Sequence, residues 1–165
     1  MNYKDKFIER TNKHIELVNK YAQKIGHTYL HHDNDKLRFL LNDYSLMFKD
    51  NITDDEQLRY DKATIKHITS NPHHPEFFLN RADMERIQEF SRKNPIMNLD
   101  CSRMTLPAIE EMCCDWCAMS EEFGNTPFWW ADNNTGLLNE DKNKRWLFTN
   151  KQLDYIYSTL ERLWN

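Results

Sequence analysis

Seven histidines occupy positions 14, 27, 31, 32, 67, 73 and 74. Five of them sit in two short strings, His27-Thr28-Tyr29-Leu30-His31-His32-Asp33 and Asn71-Pro72-His73-His74-Pro75-Glu76. Neutral imidazole and carboxylate together form a ligand set for manganese, zinc, cobalt, nickel or iron. One or two divalent ions are therefore the expected cofactor. Asp115 extends the set from far along the chain: it is a lone charge in the apolar run Cys113-Cys114-Asp115-Trp116-Cys117. A buried carboxylate is costly without a partner, and either a metal ion or a Lys or Arg side chain relieves that cost. Cys114 and Cys117 make one Cys-x-x-Cys with no second pair, so Cys101, Cys113, Cys114 and Cys117 read as buried, reduced thiols and not as a zinc site.

These residues need elements to hold them. Apolar residues at helical spacing predict a first helix over 3–25, closed by Gly26, and a second over 28–48. Thr53-Asp54-Asp55-Glu56 has the form of a capping box and opens a third helix, which Asn71-Pro72 ends. A further helix starts near Pro75 and runs into a loop. Thr105-Leu106-Pro107 opens a largely buried fifth helix, and Thr149-Asn150-Lys151-Gln152 opens the last. The stretch 124–144 reads as a long irregular connection. If the first two helices form a hairpin turning near Gly26, His14 and His32 lie across from each other with an axial mismatch of only about 4–5 Å. His73 and His74, consecutive before a proline, are expected to face different ways.

Composition fits such a frame. Of 165 residues only three are Gly and five Pro, while 13% are aromatic, which disfavours turn-rich sandwiches and barrels and predicts a single all-α domain over 1–165 with about five to six helices. The net charge is −4 with acidic and basic residues interleaved, so general nucleic-acid binding is not expected. No apolar run approaches the roughly 20 residues of a membrane span, and the N-terminus is charged, so a soluble, cytoplasmic protein is expected.

His32-Asp33-Asn34-Asp35-Lys36 resembles the His-Asp-x-x-Lys signature of the HD-domain metal-dependent phosphohydrolases, an all-helical superfamily whose ligands run His, then His-Asp, then a distant Asp. That order maps onto His14, His32, Asp33 and Asp115. The gap from His14 to His32 is shorter than HD proteins show, which leaves His27 and His31 as alternatives for the first ligand. His67 with His73, His74 and Glu76 resembles the additional histidines of HD proteins that hold two metals, the HD-GYP phosphodiesterases among them. No Gly-Tyr-Pro follows, so cyclic dinucleotide hydrolysis is not implied. At closer range, Ile25-Gly26, His32-Asp33, Lys36, Asn71 to Glu76, Glu111-Met112, Asp115-Trp116 and Ala118-Met119-Ser120 resemble an uncharacterised small family of bacteria and phages. A phage-encoded member would work in the host cytoplasm.

The resemblance implies hydrolysis of a phosphoester or phosphoanhydride by metal-activated water, with Asp33 shared between two ions and Lys36 on a phosphate oxygen. Glu76 or Glu111 would orient water or support a ligand imidazole. The substrate implied is small, a nucleotide above all, with Trp129 and Trp130 as candidates to stack its base. Two other outcomes fit the same ligands: an HD-type di-iron oxygenase, and a metal-stabilised module that binds a nucleotide or protein without turnover.

Overall fold

A computed structural model describes residues 1–165. Helix α1 (Tyr3–Gln23) begins where the Asn2 side chain accepts from the N–H groups of Lys4 and Asp5. It ends just before Gly26, whose φ of +76° no helix can continue through. The predicted single helix over 28–48 is broken. Residues 27–29 are irregular and 30–33 form a turn, followed by α2 (Asn34–Arg38), α3 (Leu41–Tyr44) and a 3-10 turn over Ser45–Phe48. Local hydrogen bonds explain the break. The Asn19 side chain accepts from Tyr29 N–H at 2.7 Å and donates to Tyr29 C=O at 3.3 Å, taking backbone groups a helix would need.

Helix α4 (Asp54–Ser70) carries the expected capping box between Thr53 and Glu56. It stops at Asn71, extended as a residue before proline must be. A 3-10 turn over Pro75–Phe78 and α5 (Arg81–Ile87) follow. Helix α6 (Leu106–Phe123) starts at the Thr105 cap, has Pro107 in its first turn, and closes at Gly124, again with φ +76°. The connection expected to be irregular instead contains α7 (Pro127–Asn134), capped by Thr126, and a strand. Helix α8 (Asn150–Trp164) opens with a second capping box, Thr149 and Gln152.

The all-α expectation needs one correction. Strands β1 (Leu99–Asp100), β2 (Thr135–Leu137) and β3 (Trp146–Phe148) form a small parallel sheet in the order β1-β3-β2. Strands of two or three residues leave no alternation to read. The eight helices exceed the five or six expected because the second splits into α2 and α3 and because α7 forms within the stretch read as irregular. Helix α6 is the axis of the molecule: Met112 to Ala118 are buried without a break, with α1 and α8 packed on it. One continuous core joins α1, α4, α6, α8 and the sheet, and a smaller cluster around Phe7, Tyr44 and Tyr60 lies beside it. No helix is long and apolar enough to cross a membrane.

Candidate metal centre

Asp33 is the point on which the site converges. It is 2% exposed and heads α2 with φ 56° and ψ 12°, a left-handed backbone that costs a non-glycine residue free energy and recurs at functional sites. Its Oδ1 lies 3.2 Å from His67 Nε2, 3.4 Å from His73 Nε2 and 3.8 Å from His32 Nε2; its Oδ2 lies 3.8 Å from His14 Nε2. Two groups of ligands flank it. On one side His14 Nε2 is 2.9 Å from Asp115 Oδ1, and His32 Nε2 is 3.9 Å from the same oxygen. On the other, His67 Nε2 meets His74 Nε2 at 2.9 Å, and the His73 and His74 rings lie 4.2 Å apart. The ligand atoms of His14, His32 and Asp115 are within 4.8 Å of one another, as are those of Asp33, His67, His73 and His74.

His73 and His74 therefore both turn inward, against the expectation that they face different ways. A tight turn between Pro72 and Pro75, closed by His74 N–H to Asn71 C=O at 3.0 Å, presents both rings to α4. The donor set fits a cation. His32 Nε2, His73 Nε2 and Asp33 Oδ1 are buried with no hydrogen-bond partner, and each such group costs about 1–3 kcal/mol if left unsatisfied. All three point at the same space, where one or two divalent ions would satisfy them together.

The far side of the rings is arranged to match. His32 Nδ1 is 2.9 Å from Glu111 Oε1, which is also 3.5 Å from His73 Nδ1. His67 Nδ1 lies between both oxygens of Asp35, at 3.0 and 2.9 Å, and Asn71 Nδ2 donates to Asp35 Oδ2 at 2.8 Å. A carboxylate at Nδ1 keeps the proton there and leaves the Nε2 lone pair for a metal.

Charge in the centre is tightly coupled. Burial resists ionisation of Asp33, but the Lys36 ammonium, 2.8 Å from Oδ2, and His32 outweigh it and hold the carboxyl well below its usual range. Burial likewise opposes charge on Asp115, and His14 overcomes it. Burial and the Lys36 cation disfavour protonated His67, yet Tyr44, Asp33 and Asp35 push it up to about 9. His74 is held well below the ordinary histidine value by burial and the neighbouring imidazoles.

Other candidates lie elsewhere. His27 pairs with Glu110 at 2.9 Å and is half exposed, and His31 is exposed beside Asn34, so His14 alone of the three reaches Asp115. Glu76 does not join the converging groups. It is fully buried, and its Oε1 accepts from Arg145 Nη2 at 3.0 Å and Trp146 Nε1 at 2.9 Å, which ties the turn after His74 to β3. Trp129 is half exposed on α7 and Trp130 packs on the core; the clefts that reach His14, His32 and His73 contain neither. Glu76 thus ties elements together rather than facing the centre, and Trp129 and Trp130 stand apart from the ligand atoms gathered around Asp33. Asp35, Asn71 and Asn19 are the positioning residues that motif spacing missed, although Asp35 stands within His32-Asp33-Asn34-Asp35-Lys36 and Asn71 opens the second histidine string. The four cysteines are buried and unpaired, and burial pushes the Cys117 thiol up to about 12.

A family model described as "Family of unknown function (DUF5662)" matches residues 3–162, so the chain belongs to that family. No curated protein and no solved structure matches it.

Proposed function

We propose that this member of the family is an HD-type, metal-dependent phosphohydrolase acting on a small phosphorylated substrate, most naturally a nucleotide. The observation that carries the reading is Asp33, a single buried carboxylate with ligand groups on both sides and an ammonium against its second oxygen. His14, His32, Asp33 and Asp115 would hold one ion, and Asp33, His67, His73 and His74 a second. Divalent ions in such a pair lower the pKa of water toward neutrality and stabilise charge on phosphoryl oxygens.

The chain's own groups do the rest. Glu111 and Asp35 fix the imidazoles in the ligand tautomer. Lys36 is 5.1 Å over the Tyr44 ring and beside Asp33, a rigid cation next to the place where a phosphoryl oxygen would sit. That cation favours an anionic substrate over dioxygen, although the same ligands suit iron.

The test is phosphate release by the metal-loaded protein across nucleoside mono-, di- and triphosphates and p-nitrophenyl phosphate. Turnover is expected for wild type and absent in Asp33→Ala. Lys36→Ala should lose about a hundredfold in kcat/KM, the order seen when a preorganised charge is removed. Full metal occupancy with no release from any member of the panel would overturn the reading in favour of a binding module. Bound iron with oxygen-dependent substrate consumption would overturn it in favour of an oxygenase.

A further inference from the structure

A cleft of about 650 Å³ runs along α1, the 3-10 turn over Ser45–Phe48 and the end of α6, with His14 in its wall. Its volume lies in the range that accommodates a small organic ligand. Leu17, Met47, Phe48 and Phe123 give it apolar surface, and Phe123 is 61% exposed at the lip. Such a side chain left in water beside a ligand centre marks a place where something apolar can be covered.

One helical turn before His14, on the same face of α1, lies Arg10. Its guanidinium is bound at both ends to Glu122, Nε at 2.7 Å and Nη2 at 3.1 Å, and stands 5.7 Å from the centre of the Phe123 ring. It also feels the Asp33 and Asp115 carboxylates of the centre. Glu122 has a second neighbour. Its Oε2 is 4.0 Å from His14 Nδ1, a buried nitrogen with no hydrogen-bond partner. Of the other two acids in that wall, Glu9 is exposed and Glu121 is already used by Lys20 and Tyr21.

We propose that Arg10 binds the phosphate of the substrate, that Glu122 is the latch holding it in the free protein, and that Phe123 with Phe48 covers an aromatic or apolar group on the same substrate. The substrate class is thus a phosphate monoester with a planar or apolar organic part. A phosphoryl group at the centre offers Arg10 the same two-pronged partner that Glu122 gives it at rest. The released Glu122 then has His14 Nδ1 as its nearest donor, which would give this last ring the carboxylate support that His32 and His67 already have. The inference rests on the phosphohydrolase reading and adds to it the place and chemistry of recognition.

The test uses the manganese-loaded full chain and two probes of equal charge without an ester bond, methylphosphonate and phenylphosphonate, titrated calorimetrically. Metal content is measured for every variant, so a folding defect shows as lost metal. Wild type should bind the phenyl compound about tenfold more tightly, and Phe123→Ala should remove that advantage. Arg10→Gln should weaken both probes about tenfold, whereas Glu122→Gln, which frees Arg10, should strengthen both. A bridge with a purely structural role would give the two variants the same sign. Equal binding of the two phosphonates by wild type, or Arg10→Gln and Glu122→Gln that both bind like wild type, would overturn the proposal while phosphate release from the panel stands. Binding of neither probe, together with no phosphate release, would take the phosphohydrolase reading down as well.

Discussion

Asp35 grips the Nδ1 side of His67 with both oxygens, at 3.0 and 2.9 Å, and Asn71 braces it from the end of α4. Neither residue would touch a metal, yet together they decide which nitrogen of His67 is free. Asp35→Ala should therefore weaken metal binding about 10–100-fold while leaving helical content intact. Competition against a chromophoric chelator reads this, and an unchanged affinity would contradict the role given to Asp35. The same ring sets a pH dependence. Its pKa in the metal-free protein is raised to about 9 from an ordinary 6.5, so the stability it contributes is full below that lower value and is lost as pH rises through about 9. Metal uptake must displace that proton, so affinity should climb between pH 6 and 8 and the heat of binding should vary with the ionisation enthalpy of the buffer. Affinity independent of pH across that interval would count against His67 as a ligand. At this scale the sequence is informative about residues whose type alone suggests a ligand: His14, His32, His67, His73, His74, Asp33 and Asp115 all meet. It is silent about Asp35 and Asn71, because a positioning role exists only once α2 and α4 have been brought together.

Helix α6 delivers Asp115 from the middle of the molecule, and its far end depends on Gly124. The φ of +76° there is left-handed, and a Cβ added at Gly124 would meet nothing within 4 Å, so the cost of an alanine is backbone strain alone. Gly124→Ala should lower stability by about 1–2 kcal/mol, with metal content unchanged. Urea denaturation measures it; a variant as stable as wild type would contradict the cap. Elements with such local punctuation are legible in the sequence: the capping boxes at Thr53 and Thr149, the Thr105-Leu106-Pro107 start, the stop at Gly26. The stretch 28–48 misled because its apolar spacing is helical, while Asn19, on α1, takes the backbone of Tyr29. The sheet escaped because its strands are two or three residues long and have no period. Glu76 misled in another way, since its partners Arg145 and Trp146 lie some seventy positions away.

Across the whole molecule, the centre joins α1, α2, α4, α6 and the turn around Pro72 to Pro75, so an ion bound there would tie most of the fold together. At a free metal concentration of about 100 times Kd, binding adds about 2.7 kcal/mol to stability. For a chain of 165 residues that corresponds to a rise in Tm of about 5–10 °C, reversed by a chelator. A Tm indifferent to both metal and chelator would mean that the buried histidines are held by protons alone. The most direct measurement is metal content by mass spectrometry on untagged wild type and on Asp33→Ala, with circular dichroism confirming that both are folded. One or two equivalents in wild type, lost in Asp33→Ala, is the result the centre predicts. Wild type that stays metal-free after incubation with manganese, zinc, cobalt and iron(II), or Asp33→Ala that retains full occupancy, would contradict it.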